Sequence, residues 1–162
     1  MGICPTELQH LVIRPTLKYL GEYSVDAEKL LVATAAIESG MGFRLKGDKK
    51  RLGVFQISPQ SHQGIWDNYL AKDPELASKV RGLASQREFL THPHAELATN
   101  LRYTTAIAWM IYKRKESPLP NSNDLNAIAK YWRRHFHHRP QASIEEFIEC
   151  YKRIIIASTL VA

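Results

Sequence analysis

Residues 95–114 read AELATNLRYTTAIAWMIYKR. Around Ala106 to Ile111 this segment is apolar on nearly every side, which predicts a central helix buried all round. Working outward, apolar residues recur at helical spacing almost throughout, with no internal repeat, low-complexity tract or strongly alternating strand pattern. The predicted class is mainly α, with residues 1–162 forming one helical domain. A chain of this length buries roughly 70% of its unfolded surface, enough for a core without covalent staples.

The helix ends are marked by local chemistry. A first helix is predicted from about Thr6 to Leu20, with Pro15 as a kink or break and Gly21 as its stop. Ser24 can cap the next helix, and Asp26 and Glu28 complement its positive end. Ser58 followed by Pro59 starts another, whose inward face is Ile65, Trp66, Tyr69 and Leu70. Asp73 and Pro74 repeat that signal ahead of Leu76 and Val80. Pro118 and Pro120 force a loop. A further stripe comprises Leu125, Ile128, Ala129, Trp132 and Phe136, and Ser143 with Glu146 forms a capping box for a terminal helix through Tyr151 and Ile155. Arg44 to Ile57 is the exception, where a short loop or β-hairpin fits.

Several classes lose support at once. Cys4 and Cys150 lie near opposite ends and form no C-x-x-C pair, so free thiols of a protein made in a reducing cytosol are expected. No secretory signal is visible in MGICPTELQHLVIRPTLKYLG. The apolar stretches YTTAIAWMIY and RIIIASTLVA reach about half the length of a bilayer span, so no transmembrane segment is expected. Twenty-two Lys and Arg against sixteen Asp and Glu give a formal charge of +6, which favours an anionic partner such as nucleic acid, a cell-wall polymer or a membrane surface.

One carboxylate is hard to explain by folding alone. Glu38 continues the apolar stripe of Leu31, Thr34 and Ala35, so it should be half buried. It also sits at a helix C-terminus, where the macrodipole disfavours negative charge. Both effects penalise the ionised form and predict a raised pKa, as suits an acid that must hold a proton near neutral pH. Alternatively, Glu38 points to water or pairs with Lys46, Lys49 or Arg51.

Glu38-Ser39-Gly40, followed after a loop by Gly53-Val54-Phe55-Gln56-Ile57, resembles the paired signatures of the soluble lytic transglycosylase family within the goose-type lysozyme-like fold, and compact bacteriophage-encoded members in particular. Asn100-Leu101 is similar to the family's asparagine-isoleucine pair at the start of a central helix. Ala129-Lys130-Tyr131-Trp132 resembles its alanine-alanine-tyrosine-asparagine motif, with Trp132 in place of the asparagine. The resemblance spans about residues 25 to 136 and implies cleavage of the β-1,4 bond between N-acetylmuramic acid and N-acetylglucosamine in peptidoglycan. It casts Glu38 as the group that protonates the glycosidic oxygen and then takes the proton of the muramyl C6 hydroxyl, closing a 1,6-anhydro ring. It further implies that Ser39 orients that carboxyl, that Phe55 lines the groove, and that Gln56, Asn100 and Tyr131 belong to the substrate site. Taken by themselves, Phe55 suits the core, Gln56 a loop hydrogen bond and Tyr131 a half-buried helix position. The expected partner is a peptidoglycan glycan strand, with virion components also possible in a phage setting. Delivery to the wall would then be by a virion, a membrane hole or a secretion system.

Other chemistries compete less well. A hydrolysing lysozyme needs a second carboxylate, for which Asp48 and Asp67 are the candidates. YWRRHFHHRP supplies Arg133, Arg134, Arg139 and aromatic neighbours for phosphates and bases, but its period puts Trp132 and Phe136 on the apolar stripe. Specific nucleic-acid binding is therefore not expected. His92 and His94, and the later His135, His137 and His138, lack Cys or carboxylate companions at zinc spacing. His62 is assigned to supporting its own helix. There is no phosphate loop and no G-x-S-x-G elbow. No metal or cofactor is expected.

Overall fold

The computed structural model describes residues 1–136 and 142–160. The protein is mainly α. Among the described residues there is no sheet, and the 44–57 loop carries two isolated antiparallel bridges, Lys46 with Leu52 and Leu52 with Ile57. Arg139, His137 and His138 lie outside the described residues.

Helix α1 has three consecutive parts: Pro5–Glu7, a π-helical Leu8–Ile13, and Arg14–Tyr19. Pro15 explains the wide middle part. A proline has no N–H to give, and its ring would strike the carbonyl four residues earlier. The wider turn, in which the Arg14 N–H donates to the Gln9 carbonyl, relieves that conflict, so Pro15 widens the helix rather than breaking it. Helix α2, Val25–Ser39, is capped by Ser24, whose hydroxyl accepts from the Ala27 N–H at 3.0 Å. Glu28 lies in the first turn as expected and does more there than complement the helix dipole. It is buried, accepts from Arg14 Nε at 2.8 Å and from the Tyr23 hydroxyl at 3.1 Å, and so ties α1 to α2.

Helix α3, Pro59–Asn68, and helix α4, Pro74–Leu83, start at the Ser58 and Asp73 caps. Helix α5, Gln86–Thr91, buries none of its residues, so no apolar period marks it in the sequence. The predicted 95–114 helix is divided at Asn100. A short turn, Glu96–Thr99, is followed by α6, Leu101–Lys113, and between them Asn100 is extended at φ −110° and ψ 98°. Its side chain explains the break: Oδ1 accepts from the Tyr103 N–H at 3.0 Å, which caps α6, while Nδ2 donates to the Leu83 carbonyl and to Glu96. Every residue from Tyr103 to Tyr112 is buried, so α6 is the central helix.

Helix α7, Leu125–His135, packs Ile128, Ala129 and Trp132 inward, and α8, Ile144–Tyr151, is continued by a π-helical Lys152–Ile156. At the start of α8, Ser143 Oγ accepts from the Glu146 N–H and donates to Glu145. One hydrophobic cluster joins these helices. Cys4 and Cys150 are free thiols, and among the described residues no helix is long and apolar enough to cross a membrane.

Candidate active site

Helix α2 ends because Gly40 turns left-handed at φ 61° and ψ 48°, with its N–H donating to the Ala36 carbonyl. Met41 at φ 59° and Gly42 at φ 82° continue the left-handed course. A non-glycine residue pays for that conformation, and burial of the Met41 side chain in the core holds it there. Ser39 fastens the returning loop to the helix end. Its hydroxyl donates to the Val54 carbonyl at 2.6 Å and accepts from the Gly42 N–H at 2.7 Å.

The loop closes as a tight turn in which Leu52 and Ile57 exchange both backbone hydrogen bonds at 3.0 Å. Val54 and Phe55 plunge from its tip into the core. Gln56 is left-handed at φ 49°, and its Nε2 donates to the Arg44 carbonyl at 3.0 Å and the Gly53 carbonyl at 2.8 Å, which pins the loop from inside.

Between helix end and loop lies a small pocket. Its polar wall is Glu38, Arg51, Gln56, Ser58, Ser61 and Arg114, and Ile57, Ile111 and Phe136 supply the apolar wall. Glu38 is half-buried, and among the described lining residues it carries the one carboxylate. Trp132, brought in by α7, donates its indole N–H to Glu38 Oε1 at 2.8 Å. Behind the carboxylate, the Tyr112 hydroxyl pairs with Thr34 at 2.7 Å, and burial together with the Glu38 charge pushes that phenol well above its ordinary range.

The residues singled out from the sequence do not all meet there. Glu38 and Gln56 share the pocket, and Leu31, Thr34 and Ala35 are buried beneath Glu38 as its stripe requires. Phe55 is 0% exposed and belongs to the core, so it does not line a groove. The Ser39 hydroxyl is engaged by Val54 and Gly42, so it positions the loop instead of orienting the Glu38 carboxyl. Asn100 is a helix cap away from the pocket lining. Tyr131 is nearly buried, donates to the Ser117 carbonyl at 3.1 Å, and lies against Tyr112 with 5.6 Å between ring centroids. Asp48 and Asp67 are exposed, and neither lines the pocket. Sequence reasoning named Arg51 only as an alternative partner of Glu38 and Ser58 only as a helix cap, and it missed the place of Trp132, Arg114 and Ser61 in the site. Trp132 stands where the motif that residues 129–132 resemble has asparagine, and that departure was the available signal. Ile111 and Arg114, three apart on one helical face, were the other.

A second polar cluster lies beside α3. His62, 1% exposed, meets His94 with 2.8 Å between their Nδ1 atoms and the Tyr103 hydroxyl at 2.6 Å, and Trp66 Nε1 donates to that hydroxyl at 2.9 Å. His62 thus supports its helix, and among the described residues no group of three or more ligating side chains could hold a metal ion. Burial first, and the neighbouring His94 second, pull the His62 pKa down to about 4. A folded-state pKa below the unfolded value means that acid protonates the unfolded chain preferentially. This contribution is therefore complete above about pH 6.5 and lost as pH falls towards 4, by up to roughly 3 kcal/mol. Urea unfolding at pH 7 and pH 4 should show that loss in the wild type and a smaller one in His62→Gln. Equal acid losses in both would remove His62 as its source.

No family model, curated protein or solved structure matches the chain.

Proposed function

We propose that the protein is a peptidoglycan lytic transglycosylase of lysozyme-like type, with Glu38 as its single general acid and base. The observation that carries this reading is the meeting of the two halves of the motif. Ser39 joins the Glu38 helix end to the Gly53–Gln56 turn, and the resulting pocket is lined by Glu38 from one side and Gln56 from the other. One carboxylate suffices for anhydro formation. Glu38 gives its proton to the glycosidic oxygen as that bond breaks, and the carboxylate then removes the C6 hydroxyl proton as that oxygen bonds to C1. No water enters the product. A hydrolase would instead use a second carboxylate, and the exposed positions of Asp48 and Asp67 weigh against it. The substrate lies outside the cytoplasmic membrane, so the protein reaches it by a virion, a membrane hole or a secretion system.

Trp132 is a positioning residue in this scheme, because its N–H fixes one Glu38 oxygen in both halves of the cycle. Trp132→Phe keeps the packing against Phe147 and removes the N–H. A hydrogen bond to a charged group contributes about 1.5–3 kcal/mol, so kcat should fall roughly 10- to 100-fold with little change in KM. An unchanged kcat would leave Trp132 a packing residue. The reading as a whole is tested by incubating the folded protein with purified peptidoglycan from several wall types. Soluble muropeptides are expected, and no release from any of them would overturn the enzymatic assignment in favour of a glycan-binding or virion structural role.

A further inference from the structure

The Glu38 pocket holds more positive charge than its carboxylate requires. Arg51 enters it from the loop and Arg114 from the end of α6, two guanidinium groups against one carboxylate among the described lining residues. Arg114 is the more telling of the two. Its Nε is buried without a hydrogen-bond partner among the described residues, and burial lowers its pKa with no carboxylate among those residues acting to offset the cost. A buried guanidinium donor left unsatisfied costs stability, and such costs concentrate where a ligand completes the bonding. Guanidinium forks fit carboxylates with two parallel hydrogen bonds.

We propose that Arg51 and Arg114 form a carboxylate-binding subsite that reads the acidic substituent of the muramyl residue beside Glu38. This rests on the cleavage proposed above. N-acetylmuramic acid differs from N-acetylglucosamine by a lactyl ether that ends in a carboxyl group. On stripped glycan that group is a free carboxylate, and on intact wall it is an amide leading to stem-peptide carboxylates. The arginines therefore select the muramyl side of the bond by charge, which places the sugar whose C6 hydroxyl must close the anhydro ring next to Glu38. Glucosamine-only chains bring no anion to the pocket.

The test is binding, measured on the Glu38→Gln protein so that no turnover intervenes. The probes are chitobiose, the N-acetylglucosaminyl-N-acetylmuramic acid disaccharide with its lactyl carboxylate free, and the same disaccharide carrying an alanyl-isoglutamine stem. NMR titration should show both acidic probes binding roughly tenfold or more tightly than chitobiose, with the preference shrinking at high salt. If the free disaccharide is the tighter of the two, the lactyl group is the anion read; if the stem-bearing one is, the peptide carboxylate is. Adding Arg114→Gln, or Arg51→Gln should the former fail to fold, should remove most of that preference for the acidic probes over chitobiose. Equal binding of all three probes, or a preference that survives both substitutions, would overturn the subsite. A wild type that does not cleave peptidoglycan yet shows the arginine-dependent preference would sink the catalytic reading and keep the subsite.

Discussion

Glu38→Gln should reduce muropeptide release from peptidoglycan by about 10² to 10⁴, the range typical of a lost general acid or base. The amide is nearly isosteric and can still accept the Trp132 N–H through its oxygen, so the positioning hydrogen bond at 2.8 Å has a counterpart in the variant. What is lost is a proton that can be given and recovered. Half-burial of a carboxylate at a helix C-terminus is locally unfavourable, so the thermal midpoint should stay level or rise slightly. Reduced cleavage with an undiminished midpoint assigns Glu38 to chemistry. A variant that unfolds, or that cleaves as fast as the wild type, would assign it elsewhere.

Gly53→Ala should have the largest effect on stability. Gly53 is left-handed at φ 80°, and a Cβ there would sit 1.7 Å from the Leu97 carbonyl oxygen. That oxygen is backbone, in the Glu96–Thr99 turn that Asn100 locks to α4 through Leu83, so it cannot swing aside as a side chain would. The strain of the conformation alone costs about 1–3 kcal/mol, and the clash adds to it, for an expected loss above about 3 kcal/mol in urea unfolding. Cleavage should fall as well, since the turn that Gly53 opens carries Gln56 and leads to Ser58. Unfolding within about 0.5 kcal/mol of wild type would mean that the loop does not press on Leu97 as described.

What was legible in the sequence was local. Ser24, Ser58, Asp73 and Ser143 each accept from a backbone N–H three residues on, a pattern that needs no knowledge of the rest of the chain. The half-burial of Glu38 followed from its stripe. Asn100 was harder, because an asparagine inside an apolar run reads as a tolerated helix residue until its extended backbone and its bonds to Leu83 and Glu96 are seen. Ser39 and Phe55 sit in the motif but serve the scaffold, and only the course of the returning chain shows which way their side chains face. Trp132 was read correctly as a core residue and incompletely as nothing more, since helical spacing places a ring but says nothing of its N–H. Arg51 and Arg114 are far apart in the chain and come to line one pocket only in the folded protein.

The most direct test of the central claim is mass spectrometry of the muropeptides that the wild type releases from purified peptidoglycan, with Glu38→Gln alongside. Single-carboxylate anhydro formation predicts Glu38-dependent products whose muramyl ends are lighter by one water and resist borohydride reduction. Reducible ends would contradict it, showing that water attacks the sugar and that another group, with Asp48 and Asp67 the first to substitute, assists Glu38.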